Sequence, residues 1–137
     1  MADIDHFKVV NDSYGHDAGD IVLQELGRLL KANIREGDIA CRYGGEEFLL
    51  IMPGASLETT RERADNLRQS LKNLQVKYQD QLLKSTTISL GVAIFPDHGL
   101  TAEEVIAAAD AALYRAKQAG RDQVEIARLN SPGEAAP

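Results

Sequence analysis

The chain of 137 residues has no tryptophan, a single cysteine and only 5% aromatic side chains. One thiol excludes an internal disulfide framework and a cysteine-built metal cluster. Cys41 sits inside an apolar, β-prone run, so the expectation is a buried, inert thiol in a reducing compartment. Basic charge is also in deficit: 15 Lys and Arg against 21 Asp and Glu leave a net charge of -6. That balance argues against nucleic acid or an anionic membrane as the main partner, while still permitting a local basic pocket. No apolar run approaches the length of a membrane span, and Met1-Ala2-Asp3-Ile4-Asp5 lacks the basic and apolar regions of a signal peptide. A cytoplasmic protein without direct membrane contact is expected.

What is present is the composition of a soluble globular domain, 44% apolar and 26% charged, long enough to bury a core without staples. Met1 to Ile4 reads as the end of a strand, with Asp5 as a candidate N-cap for a short helix over Phe7 to Tyr14. Gly15 stops that helix. Asp17 is placed to cap a longer one, in which Ile21, Leu23, Leu26, Leu29, Leu30 and Ile34 recur with helical period up to Gly37. Residues 39–43 and 48–52 read as strands joined by a tight tip, with Pro53-Gly54 as the exit turn. Residues 57–74 form an amphipathic helix, and residues 75–83 are ambiguous between strand and loop. Thr86 to Phe95 is apolar and β-branched enough for a central strand, broken at Pro96. Thr101 and Glu104 make a capping box for an alanine-rich helix over 102–118, stopped near Gly120. Residues 123–127 supply a last edge strand, and the tail from Asn130 has too little apolar surface to pack. Strands alternating with helices predict an α/β, or α+β, sandwich in which helices cover a sheet.

Five polar clusters carry the chemistry, and each has a plain structural alternative. Gly44-Gly45-Glu46-Glu47 is a hairpin tip that is either an ordinary solvated turn or a place where a phosphate-bearing ligand and a divalent cation meet. Its glycines admit close approach to the backbone and its carboxylates are hard oxygen donors. Asp3 lies at a strand end, where ligands of such sheets commonly bind, whereas Asp5 has the capping alternative. Lys8, Asn11, Asp12, Gly15, His16, Gly19 and Asp20 surround two helix termini. Asn11 and Asp20 have the donors and acceptors to read guanine, while His16 and Asp17 are better explained by turn and cap structure. Lys117 and Arg121, near Arg115, either complement a helix dipole or hold a triphosphate tail. Arg35 and Asp38 would ordinarily make a loop ion pair of small energetic weight.

Taken together, Asp3-Ile4-Asp5-His6-Phe7-Lys8, Asn11-Asp12, Gly15-His16, Gly19-Asp20 and Arg42-Tyr43-Gly44-Gly45-Glu46-Glu47-Phe48 closely resemble the GGDEF family of diguanylate cyclases. The likeness continues through Ser89-Leu90-Gly91-Val92-Ala93 and Ala109 to Lys117, then Gly120-Arg121, and covers the chain to about residue 126. It implies a ferredoxin-like, nucleotidyl-cyclase-type fold with a mostly antiparallel central sheet. The implied reaction is condensation of two GTP into cyclic di-GMP with release of pyrophosphate. Asp3, the Ile4 backbone carbonyl and Glu46 would hold Mg²⁺ (or Mn²⁺), with Glu47 supporting the site, so that Asp3, Glu46 and Glu47 form the implied catalytic set. Asn11 and Asp20 would read guanine. Lys8, Lys117, Arg121 and the N–H groups near His6 and Phe7 would hold phosphates, with Gly44 and Gly45 making room for GTP.

The resemblance further implies a two-fold homodimer for catalysis, sensory or receiver domains in the parent protein, and no nucleic-acid partner. Arg35 and Asp38 match the family's R-x-x-D site, where cyclic di-GMP binds and inhibits. A further arginine that often completes that site is replaced by Asn66, leaving Arg63 or Arg68 as substitutes. Glu46 stands where the family name has Asp, a form common among active members. The catalytic domain is expected over residues 1–128, without the family's opening helix and most of its first strand, followed by a disordered tail over 129–137. The alternative reading is a sensory module that binds GTP or cyclic di-GMP without turnover.

Overall fold

The structure is a computed structural model and describes residues 1–129; the expected frayed tail lies, from Asn130 on, outside the described residues. Its elements are β1 (Ala2–Ile4), α1 (Phe7–Tyr14), α2 (His16–Asn33), β2 (Ile39–Arg42), β3 (Glu47–Ile51), α3 (Leu57–Lys72), β4 (Lys77–Tyr78), β5 (Gln81–Leu82), β6 (Ile88–Val92), α4 (Ala102–Gln118) and β7 (Val124–Ile126). Five strands form one sheet in the order β2-β3-β1-β6-β7. β1 runs antiparallel to both neighbours, pairing Asp3 with Glu47 on β3 and with Ser89 on β6. Only β6 and β7 are parallel. The mixed, mostly antiparallel sheet covered by helices is the architecture the sequence predicts.

Strand periodicity gives the two faces different work. Ala2, Ile4, Phe48, Ile88, Leu90 and Val92 point to one face, where they pack with Ala18, Val22, Leu26 and Leu30 of α2 and Ala64, Leu67 and Leu71 of α3. Each fully buried Leu or Ile among them is worth about 1.5–3 kcal/mol. The alternate residues Met1, Asp3, Asp5, Ser89, Gly91 and Ala93, all but Met1 small or polar, turn toward α4. A Cβ at Gly91 would overlap the Ala109 carbonyl oxygen and the Leu113 amide nitrogen of α4. The helix therefore packs backbone against backbone on β6, with Ala109, Ala112 and Ala116 buried beneath it.

β1 is three residues long, whereas β3 and β6 both continue past Met1. Leu49, Ile51, Val92 and Ile94 thus line one wall of an apolar cavity of about 600 Å³ that reaches α4. The Met1 amine is buried there and donates to the Gly91 carbonyl at 3.0 Å.

Several local expectations are corrected. Asp5 does not cap α1: the N-cap is His6, in the left-handed region, with no side-chain cap. Gly15, not Asp17, is the N-cap of α2, which ends at Asn33. The buried stripe of α2 is Ala18-Val22-Leu26-Leu30, while Ile21, Leu23 and Leu29 pack at its margins. Residues 75–83 form a small hairpin, β4 with β5, turning through Gln79 and Asp80 at φ 48° and 60°. Neither is Gly or Asn, so the usual signal of such a turn is missing from the sequence. Cys41 is exposed rather than buried, because β2 is the edge of the sheet. At α4, Thr101 Oγ1 accepts from the Glu104 N–H at 3.2 Å as expected, and Glu104 reaches back to the Leu100 N–H at 2.7 Å.

Candidate functional site

The site forms where β1 ends, beside the tip of the β2–β3 hairpin. Arg42 donates to the Gly45 carbonyl from Nε at 3.0 Å and from its terminal nitrogen at 2.6 Å, and the Tyr43 N–H donates to the Glu47 carbonyl at 2.8 Å. These bonds fold the tip back on itself and hold Glu46 beside β1. The Ile4 N–H donates to the Glu46 carbonyl at 3.2 Å. A Cβ on Gly45 would meet no protein atom, so the space beside the tip is open.

That space is a cavity of about 410 Å³ lined by Phe7, Lys8, Asn11, Asp12, His16, Asp20, Leu23, Arg42, Gly45 and Glu46, a size suited to a small molecule. The sequence candidates Phe7, Lys8, Asn11, Asp20, Gly45 and Glu46 converge on it. His16, Asp20 and Leu23 follow one another at three- and four-residue steps along α2, so one helix face supplies them. Gly19 is required beside them: a Cβ there would overlap Asn11 Oδ1 and lie 3.1 Å from Phe7 Cζ. At the start of α1 the Val9 and Val10 N–H groups bond the His6 carbonyl, at 2.9 and 3.3 Å, while those of Phe7 and Lys8 lie ahead of the first helical bond, the arrangement that favours an anion.

Next to the cavity is an acidic pair. Asp3 is 4% exposed and accepts from Lys117 Nζ at 2.7 Å. Glu46 has its pKa raised, first by burial and then by the charge of Asp3; Lys117 opposes this, and Glu47 adds a smaller upward push. One ammonium therefore faces carboxylates that repel each other. Hard oxygen donors with surplus negative charge are the donor set that suits a divalent cation. Among the described residues no cluster of three His, Cys, Asp or Glu side chains forms, so the oxygen set consists of two carboxylates and the strand-end backbone. Glu47 lies on the α4 side of β3, near the Met1 amine, and does not line the cavity. Arg121 is exposed on the turn after α4.

A family model described as "Diguanylate cyclase, GGDEF domain" matches residues 1–123. The chain belongs to the GGDEF family. Diguanylate cyclase A of Treponema denticola is 39% identical over 132 residues, covering 96% of this chain. The chain spans only 35% of that relative's length. The GGDEF domain of DgcB from Caulobacter crescentus, solved in complex with cyclic di-GMP, superposes with a TM-score of 0.86 at 34% identity, covering 91% of this chain and 74% of the other. The active GGEEF domain of a diguanylate cyclase from Vibrio cholerae gives 0.81 at 33% identity, covering 94% and 81%. The nucleotidyl-cyclase-type fold expected from the sequence is the fold of this GGDEF domain.

A second polar site lies at the far end of α2 in the GGDEF domain. Arg35 and Asp38 close a turn: the Asp38 N–H donates to the Arg35 carbonyl at 3.0 Å, and the Arg35 N–H donates to Asp38 Oδ2 at 2.9 Å. The side-chain ion pair of Asp38 is with Arg63 of α3, at 2.6 Å, and not with the Arg35 guanidinium. The Arg35 N–H and then Arg63 hold the Asp38 carboxyl below its usual range. Of the two arginines offered as substitutes at this site, Arg63 is present, while Arg68 is bound to Asp65 and Asp122.

Two residues that line this cavity were named in the sequence only as part of a motif or an apolar helix face, without a site role. Arg42 stands inside the Gly-Gly motif, and an arginine two residues before a side-chain-free tip was the available signal. Leu23 follows from the helical step after Gly19 and Asp20. No helix among the described residues is long and apolar enough to cross a membrane.

Proposed function

We propose that this GGDEF domain, taken as residues 1–128, condenses two GTP molecules into cyclic di-GMP. The observation that carries the reading is the surplus-acid pair Asp3 and Glu46 beside a cavity walled by Lys8, Asn11 and Asp20. Asn11 and the Asp20 carboxylate read the guanine edge, for which adenine lacks the matching donors. Lys8, Lys117, Arg121 and the first-turn N–H groups of α1 near His6 and Phe7 hold the phosphates. Gly44 and Gly45 leave room for the nucleotide, and Glu47 supports the acidic site from behind. Asp3, the Ile4 carbonyl and Glu46 would hold Mg²⁺ (or Mn²⁺), which when bound acidifies the attacking hydroxyl and neutralises the leaving pyrophosphate. In each half-reaction a ribose 3′-oxygen bonds to the α-phosphorus of the other GTP, its proton leaves, and the bond to the β-phosphate oxygen breaks. Each domain presents one nucleotide, so two domains meet across a two-fold axis to form both bonds.

Gly19 tests the guanine assignment. A Gly19→Ala methyl displaces the end of the Asn11 side chain, which can swing away, and crowds Phe7 Cζ at 3.1 Å, which must give by a few tenths of an ångström, so the fold survives while the base contact does not. KM for GTP is expected to rise roughly five- to tenfold, the worth of a hydrogen bond, with the melting temperature nearly unchanged. An unaltered KM would remove Asn11 from base recognition.

Arg35, Asp38 and Arg63 form the inhibitory cyclic di-GMP site in this reading, with Arg63 taking the place left by Asn66. Arginine forks and a carboxylate suit the two edges of guanine. Incubation of the chain with GTP and Mg²⁺, followed by mass analysis, tests the whole proposal. Cyclic di-GMP is expected, at a specific activity that increases with protein concentration. The rate should fall as product accumulates, and Arg35→Ala should abolish that fall without lowering the initial rate. GTP binding with no product would make the domain a sensory module. Equal product inhibition in Arg35→Ala would remove the inhibitory site.

A further inference from the structure

Asp5 is buried, at 5% exposure, yet neither the cavity nor the acidic pair uses it. Its carboxylate is fully engaged elsewhere. Oδ1 accepts from Ser89 Oγ at 2.7 Å, and Oδ2 accepts both from Thr87 Oγ1 at 2.7 Å and from the Asp122 backbone N–H at 3.0 Å. The first two donors belong to the segment that pairs with β1. The third belongs to the turn that follows α4, and its immediate neighbour is Arg121.

That turn needs holding. Arg121 and Asp122 both adopt left-handed backbone, at φ 64° and 48°, a region unfavourable for side chains of their size. Three clamps keep it there. The Arg121 N–H bonds the Ala116 carbonyl at 2.9 Å, and the Asp122 carboxylate bridges Arg68 at 2.8 Å and Lys72 at 2.6 Å on α3. Asp5 supplies the third and is the clamp that comes from the strand carrying Asp3. Because Asp3 and Asp5 are two residues apart they share the α4 face, so one strand end addresses both basic residues of the proposed phosphate site. Asp3 bonds Lys117 directly, and Asp5 reaches Arg121 through its neighbour's backbone.

We propose that Asp5 is a positioning residue for Arg121, setting the turn so that the guanidinium meets the triphosphate tail at a fixed place relative to the Asp3–Glu46 pair. This rests on the reading that Arg121 contacts GTP phosphates. Asp5 itself touches no substrate atom. What the turn requires of it is an acceptor at the Oδ2 position rather than a charge. An asparagine can supply that acceptor with its amide oxygen while its NH₂ donates to the Ser89 hydroxyl, which can act as acceptor in turn.

The test is a double-mutant cycle with affinities for GTP and GMP, measured in Mg²⁺ on the wild-type chain, Asp5→Ala, Asp5→Asn, Arg121→Ala and Asp5→Ala/Arg121→Ala, with a melting curve for each. Asp5→Ala is expected to weaken GTP about tenfold, the scale of one charge-assisted contact, and to leave GMP affinity unchanged. It should add nothing to the loss caused by Arg121→Ala, and Asp5→Asn should restore GTP affinity. If Asp5→Ala does not fold, Asp5→Ser enters the same cycle: its hydroxyl can bond Thr87 or Ser89 but is too short to reach the Asp122 N–H. Equal losses for GTP and GMP, or additive losses in the double variant, would overturn the positioning role. An Arg121→Ala variant with unchanged GTP affinity would instead overturn the phosphate role of Arg121, and this proposal with it. That outcome is separately visible in the single variant.

Discussion

Glu46→Gln is expected to lower cyclic di-GMP formation steeply while leaving the fold at least as stable as the wild type at neutral pH. Glu46 is partly buried next to Asp3, and its raised pKa states that the folded protein disfavours its ionised form. For a carboxyl whose folded pKa lies above its unfolded value, the stabilising contribution is complete below the unfolded pKa and is lost as pH rises through the folded one. At pH 7 the ionised side chain is therefore a destabilising charge, and an isosteric neutral amide relieves it. The melting temperature of Glu46→Gln should match or exceed that of the wild type at pH 7. The difference should vanish in acid, where Glu46 is itself protonated. Turnover with GTP and Mg²⁺ should fall on the order of 10²-fold or more, the scale lost when one charge-stabilising group leaves an electrostatic active site. Full turnover in the variant would remove Glu46 from the metal pair, and a clear drop in melting temperature at pH 7 would contradict its electrostatic placement.

Gly91→Ala should do the opposite, damaging the fold first and activity only through it. The added methyl meets the Ala109 carbonyl oxygen and the Leu113 amide nitrogen. Those are backbone atoms inside α4 and cannot rotate aside as the Asn11 side chain can for Gly19. Either the helix lifts from β6 or the strand bends. Overpacking of a tight core costs about 1–3 kcal/mol, which a lower denaturant midpoint at unchanged slope would report. Because α4 also carries Lys117, a lifted helix should lengthen its 2.7 Å contact with Asp3 and weaken GTP binding together with stability. A midpoint equal to the wild type's would mean that α4 is not locked against β6.

The comparison of these glycines indicates how far the sequence could be read. Gly19 and Gly91 look alike in a string of letters, since neither stands at a turn or a helix stop that would announce its purpose. One leaves room for a functional side chain and the other for a helix backbone, and only packing distinguishes them. The Asp3 and Asp5 pair has the same character. Local capping logic assigned Asp5 to the helix that follows, whereas its partners are Thr87, Ser89 and Asp122, far along the chain. Arg63 and Arg68 were equal candidates near Asn66, five residues apart on one helix, until α3 was seen to turn one toward Asp38 and the other toward Asp122.

By itself the sequence determined what depends on short range. It gave out the periods of the helices and long strands, the Thr101 cap, the glycine-rich acidic tip, and a motif spacing specific enough to identify the GGDEF family. Only the tertiary structure decided the partners. Lys117 rather than solvent faces Asp3, Cys41 is exposed because β2 forms the edge of the sheet, and Glu47 turns toward α4 instead of the cavity. Local patterns are set by backbone geometry, which repeats every few residues. The partner of a charged side chain is set by which elements the strand order brings together, and no local period encodes that order.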